Sequence, residues 1–161
     1  MKVGGDAMII DDQSPSWARA TDSLANNTKD ILLLLCRVGL AYLYVISLQG
    51  KLPNPEAFGG YLTKIGMPGG MATAYLSIEI EIVGAIAILV GLGTRYAILV
   101  LTLFVIIASF YGHRYWEADA AQLRNQTVHF YKNVSIVAGY LLLFITGPGR
   151  YSLDHMLGKK T

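Results

Sequence analysis

The sequence predicts an all-α integral membrane protein: a four-helix bundle with a short interfacial helix between its first and second spans. Three observations carry that prediction. The apolar residues are gathered into four long runs, Ile31–Leu48, Met71–Leu92, Tyr96–Tyr111 and Phe130–Thr146, and a hydrocarbon core of ~30 Å takes about 20 helical residues. Hydrophobic residues make up 53% of the 161 and charged residues only 15%, against roughly 25% charged in soluble domains. That balance excludes a disordered chain, a coiled coil and most soluble enzymes of this size. The runs are continuous rather than alternating, which argues against a strand barrel.

The elements follow in order. Residues 1–30 form a polar tail carrying Asp6, Asp11, Asp12, Asp22 and Asp30. It has no early apolar core, so it is not a secretory signal. Ser14-Pro15-Ser16-Trp17 reads as a turn, with Trp17 as an interface anchor. The first span holds one charge, Arg37, and is broken by Leu52-Pro53-Asn54-Pro55. Glu56 to Gly66 reads as the interfacial helix, ended by Gly66, Pro68, Gly69 and Gly70. The second span holds Glu79 and Glu81. A tight turn, Gly93-Thr94-Arg95, leads into the third span, which lengthens to His113 if the interface is included. The fourth span holds Lys132 near its start. The second and fourth spans end alike, in GLGTR and GPGR. Glycine stops each helix and an arginine sits near its negative end. This reads as two helices solving one termination problem rather than as a repeat. The membrane domain is thus 31–154, followed by a C-terminal tail, 155–161.

Four spans put both termini on one face. Lys2, Lys29, Lys159, Lys160, Arg19, Arg95 and Arg150 lie there, against Lys51, Lys64, Lys132, Arg114 and Arg124 on the far face. The bias favours cytoplasmic termini in a cell (inner) membrane. The net charge of +2 provides no strongly basic surface for nucleic acid. The single cysteine, Cys36, excludes an intrachain disulfide, a Cys-based zinc site and a CxxC redox pair. In an apolar helix it reads as a small hydrophobe.

Charges inside a membrane are functional suspects. Arg37 lies ~10 Å into the first span at 1.5 Å per residue, and Glu81 lies near the middle of the second. Ten Ile, Leu or Val residues favour insertion of the second span by ~3–6 kcal/mol, while two central acids cost ~5–7 kcal/mol. The acids therefore need neutralising or pairing. The expectation is that Arg37 and Glu81 share a polar network; the competing reading has Arg37 snorkelling to the headgroups. Glu79 and Glu81 are ~200° apart around the helix. Glu81 shares its face with Ser77 and Gly84 and is assigned to the interior. Glu79 is assigned to the outer surface, as a contact with other membrane protein subunits.

The far face gathers Phe58, Tyr61, Tyr111, Tyr115, Trp116, Phe130 and Tyr131. They form either an aromatic belt at the headgroups or the walls of a site for a flat hydrophobic ligand. His129, Lys132 and Asn133 share one helix face, and His113 ends the neighbouring span on the same side. With Trp116 and Tyr131, this constellation has the residue types for a quinone: hydrogen-bond donors, a proton relay and an apolar slot. The other reading is a plain polar rim. No HxxxH spacing for haem or copper occurs, and no metal is expected.

Several segments together resemble the DoxX family. They are LLLLCRVGLAYLYVISLQGKL, AFGGYLTKIGMP, EIVGAIAILVGLGTR, HRYW, HFYKN and GYLLLFITGPGRYSLD, in order from about residue 31 to 154. The resemblance implies a four-helix membrane protein, and some DoxX proteins are linked to thiosulfate:quinone oxidoreductase as membrane subunits. Where the family often has a His-Gly pair after the first span, this chain has Gln49-Gly50. The expected function is an accessory subunit of a membrane oxidoreductase or respiratory complex, contributing to a quinone pocket and without independent catalysis. The alternatives are a small-solute transporter or channel, suggested by the mid-membrane acids, and a membrane scaffold or assembly factor.

Overall fold

The computed structural model describes residues 15–158. The first fourteen residues of the polar tail, with Lys2 and the tail aspartates Asp6, Asp11 and Asp12, lie outside the described residues, as do Lys159 and Lys160. Among the described residues every regular element is helical. Four helices are long and apolar enough to cross a membrane.

Helix α1 runs Ser16–Gln49 without a break. The part of the tail from residue 16 to 30 is therefore helix, not an irregular segment. Nucleating a helix is the costly step and extending one is cheap, so the apolar span carries the polar turns before it. Pro15 occupies the N-cap, where its lack of an N–H is harmless. The hydroxyls of Thr21 and Thr28 are satisfied by carbonyls three or four residues back. At 1.5 Å per residue α1 is about 51 Å long, so its polar first turns project past a ~30 Å hydrocarbon core.

The interfacial helix α2 is Pro55–Lys64, close to its expected bounds. Asn54 caps it by accepting from the Ala57 N–H at 2.9 Å. Helix α3 is Met71–Val90 and α4 is Thr94–Gly112. A single 3-10 turn, Tyr115–Glu117, precedes α5, Leu123–Thr146. Helix α5 starts two turns before its apolar run. Gly91 ends α3 in the left-handed region at φ 70°, the geometry that favours glycine at a helix C-terminus. Gly147 (φ 73°) ends α5, so both glycine stops occur as expected. Arg95 caps a neighbour rather than its own span: its Nε donates to the Phe144 carbonyl at 3.0 Å.

In sequence order each long helix packs on the next, α1 on α3, α3 on α4 and α4 on α5, with α2 lying on α3. Tyr44, Ile88, Ile98, Leu101, Val105, Tyr140 and Leu143 form the core. Tyr44 and Tyr140 close the bundle, their hydroxyls 2.6 Å apart between α1 and α5. Outward, Leu35, Val83, Ile86, Leu99, Leu142 and Ile145 are exposed. Helices apolar all round suit a lipid surround. The C-terminal segment folds back beneath the α3–α4 turn and ends in a short helix, α6, Leu153–Met156.

Candidate functional site

The last turn of α1, helix α2, the first half of α3 and the second half of α4 enclose a cavity of about 780 Å³ in the far half of the bundle. That volume suits an organic ligand; small-molecule sites span roughly 300–1,000 Å³. The cavity exists because α3 and α4 touch closely at one level and part above it. A Cβ added at Gly84 would come within 2.6 Å of Leu101, so the glycine lets the helices cross there. The cavity begins one turn further, at Ile80 and Phe104. Helix α2 roofs it. Gly59 rests directly on Met71, where a Cβ would collide with the methionine sulfur.

One ion pair marks the inner end of this space. Glu81 is only 2% exposed, and Lys51 Nζ pairs with its Oε1. Ser47 Oγ donates to the same oxygen at 3.2 Å. Lys51 also lies over the Phe58 ring, 4.8 Å from its centroid, and 6.0 Å from that of Phe104. Ser47, Lys51, Phe58 and Phe104 line the cavity, while Glu81 sits behind them. The remaining lining is apolar apart from Tyr61, Thr73, Ser77, Tyr111 and His113. The second Glu81 oxygen, Oε2, is buried without a hydrogen-bond partner. A desolvated carboxylate of this kind depends on its counter-ion. Neutralising Glu81 is therefore what Lys51 does structurally, and presenting N–H donors to the cavity is what it offers chemically.

The structure does not bring Arg37 and Glu81 together. Helices α1 and α3 are antiparallel, so a step forward on one is a step back on the other. With Ser47 opposite Glu81, the residue opposite Arg37 is Gly91, about 15 Å away along the helix axis. Arg37 is fully buried there, and its Nη1 occupies the space a Gly91 side chain would need. Its Nη2 donates to the Tyr151 carbonyl, and its charge interacts with Asp154. Asp154 in turn accepts from the backbone N–H groups of Gly93 (2.9 Å) and Thr94 (3.1 Å), and donates its own N–H to the Gly91 carbonyl at 2.8 Å. Arg37 thus holds the C-terminal segment onto the α3–α4 turn. It neither snorkels to solvent nor joins the cavity. Glu79 is exposed on the outer surface of α3, on the opposite side from buried Glu81.

The far-face histidine constellation is assembled, but beside the cavity rather than around it. His113 and His129 stack with ring centroids 5.0 Å apart. His113 Nδ1 bonds to Gln126 Oε1 at 3.0 Å, and Lys132 Nζ lies 3.1 Å from His129 Nδ1. Asn133 donates to Ser109 Oγ at 2.9 Å, joining α5 to α4. Trp116 and Tyr131 belong to a ring cluster with Phe110, Tyr115 and Phe130. Of these residues only His113 borders the cavity. Among the described residues no three His, Cys, Asp or Glu side chains converge as metal ligands would.

Sequence reasoning missed Lys51 and Ser47. Lys51 follows the first span and counts in the sequence only as one of the far-face cations. The signal that finds it is register: the α1 residues that meet Glu81 must lie at the far end of α1.

Comparison with known proteins agrees with this architecture. Residues 32–114 match the DoxX family, a stretch that contains every residue lining the cavity and stops before α5. The chain is 31% identical to the inner membrane protein YphA of Escherichia coli (strain K12), over 78% of this chain and 90% of that one. It is 34% identical to the inner membrane protein YqjF of the same strain, over 82% and 96% of the respective chains. A membrane protein of Mycobacterium tuberculosis, Rv3486, is 29% identical over 94% of each chain. No solved structure matches.

Proposed function

The chain belongs to the DoxX family of membrane proteins, and from that premise we propose that it is an inner-membrane accessory subunit of an oxidoreductase or respiratory complex whose cavity holds a quinone-class ligand. The observation that carries the proposal is the cavity with Lys51 in its wall. A quinone is a flat apolar ring with carbonyl acceptors at its ends. The apolar walls accept the ring, the faces of Phe58 and Phe104 flank the ammonium, and Lys51 provides donors for a carbonyl. Held by Glu81, Lys51 is fixed rather than free to leave with solvent, which reduces the ordering cost of binding. Glu81 is a positioning residue in this account, acting through Lys51. When bound, a quinone would supply the two-electron chemistry; the chain's own residues bind it, orient it and keep water out.

The subunit role rests also on Glu79, a carboxylate on the outer face of a span. At the centre of a membrane helix a bare acid costs ~2.5–3.5 kcal/mol on insertion scales, which a cationic or hydrogen-bonding side chain of another membrane subunit would offset. With the termini cytoplasmic, the cavity lies in the outer half of the bilayer. The test is purification of the tagged protein in mild detergent, with extraction of bound lipids. Redox subunits and a quinone that co-purify, with the quinone lost from Lys51→Met, support the reading. A homo-oligomer that binds a small polar solute and no quinone overturns it in favour of transport.

A further inference from the structure

We propose that the cavity is filled sideways, from the bilayer, through a portal between α3 and α4, and that its occupant is an amphiphile with a hydrogen-bond-accepting head at Lys51 and a hydrocarbon chain in the portal. This rests on the quinone-class reading of the cavity and narrows it to tailed, membrane-dissolved members of that class.

The sides of the cavity differ in what closes them. The inner end is closed where Gly84 meets Leu101. The far-face end is covered by α2 and by Ile65, Met67 and Pro68 of the loop after it. That cover is tied down: Arg114, just past the end of α4, donates from Nη2 to the Ile65 carbonyl at 2.8 Å. The α1 side is closed by Ser47, Lys51 and the ion pair to Glu81. The side between α3 and α4 is different. Leu76 on α3 and Val100, Leu103 and Ile107 on α4 all line the cavity, yet they are 56%, 53%, 60% and 41% exposed. Residues that are both wall and outer surface form a mouth; on α2 Tyr61 alone shares this character, at 46% exposed, against four residues on the α3–α4 side.

The level of that mouth decides what it opens to. Leu76 lies about 8 Å below the far end of α3, and Val100 about 18 Å below the far end of α4, at 1.5 Å per residue. Both belong to spans long and apolar enough to cross a membrane, so the mouth faces hydrocarbon. All four rim residues are aliphatic and have nothing to hydrogen-bond a polar solute. The Lys51 ammonium, by contrast, reaches the inner end of the cavity, beside Glu81 and near the Phe104 ring. A ligand entering by this route therefore needs a head that accepts from Lys51 and a tail content among leucine and isoleucine side chains.

The experiment places a reporter inside the cavity, Phe104→Trp in a chain whose Trp17 and Trp116 are replaced by Phe, reconstituted in lipid nanodiscs. Phe58→Trp serves in the same way if Phe104→Trp does not fold. Lipids brominated on their acyl chains are expected to cut the reporter's fluorescence by about half, while aqueous iodide leaves it nearly unchanged. Stronger quenching by iodide than by bromolipid, or quenching by neither, overturns the portal. A second arm compares quinones of one headgroup with and without a ten-carbon chain in the unmodified protein. At equal total concentration the tailed quinone is expected to bind at least about tenfold tighter, because its chain concentrates it in the bilayer from which the portal fills. Equal affinity overturns the tailed occupant. Bromolipid quenching with no binding of either quinone supports the portal and overturns the quinone reading, so the two failures are distinguishable.

Discussion

Replacing Lys51 with Met removes the counter-ion of a carboxylate that is 2% exposed while keeping most of the side chain's length. Breaking a buried ion pair by deleting one partner costs ~3–5 kcal/mol, because the surviving charge has neither water nor partner. The Ser47 hydroxyl, 3.2 Å from the same oxygen, is present in the parent and the variant alike and leaves that difference unchanged. Loss of the ammonium over Phe58 adds ~0.5–2 kcal/mol. The expected net effect of Lys51→Met is a loss of about 3.5–7 kcal/mol. Glu81→Gln leaves the ammonium beside a neutral amide at 18% side-chain exposure, and a lysine with some access to solvent regains water, so the expected loss is smaller, ~1–2 kcal/mol. The double variant Lys51→Met/Glu81→Gln removes both charges and should be more stable than Lys51→Met alone. Reversible unfolding in mixed micelles, followed by circular dichroism, measures all four proteins. A double variant whose loss equals the sum of the singles would refute the coupling of these two side chains.

Four further outcomes are expected. Arg37→Leu and Glu81→Leu should destabilise additively, because sites separated by more than ~7–10 Å without shared partners add within about 0.5 kcal/mol; unfolding of the singles and the double checks this, and a marked coupling would contradict the antiparallel register. Arg37→Leu should also release the segment after Gly147, which Tyr151 and Asp154 tie to it, so limited proteolysis should cleave there in the variant and spare the parent. For the Tyr44–Tyr140 pair, either single Phe substitution should cost ~1–3 kcal/mol by leaving a buried hydroxyl alone, whereas the double substitution should be close to neutral; unfolding midpoints of the three variants decide it. Gly84→Leu should push α4 from α3 at the Leu101 contact and cost ~1–3 kcal/mol by overpacking, read as a lower unfolding midpoint.

How much of this was legible differs from element to element, for physical reasons. Helix α3 was readable almost to the residue, because twenty positions between Gly70 and Gly91, all but four of them apolar, leave a membrane helix few alternatives. The division of its acids was readable too: an angular step of 100° per residue puts Glu79 and Glu81 on opposite faces, and the structure buries Glu81 alone. The polar turns of α1 were not readable, since residues 16–30 lack an apolar stripe and take their helix from the span that follows. Depth was the main loss. Arg37 and Glu81 are both mid-span by sequence, but helix register separates them by several turns. Lys51 lies outside the first apolar run, yet its long side chain reaches back to a carboxylate deep in α3. Such an inward reach places the charge about a turn from its Cα, and no pattern of residue types records its direction. The histidine cluster was located correctly on the far ends of α4 and α5, but the cavity lies across α4 on the α2–α3 side.

The central claim is that the cavity beside Lys51, not the neighbouring histidine cluster, receives the quinone-class ligand. A photoreactive azido-quinone, cross-linked to the protein in nanodiscs and mapped by peptide mass spectrometry, tests it directly. The account predicts labelling within residues 47–62 and 100–113, displaced by excess unlabelled quinone and lost in Lys51→Met. Labelling confined to His129, Tyr131, Lys132 and Asn133, or labelling unaffected by Lys51→Met, would contradict it.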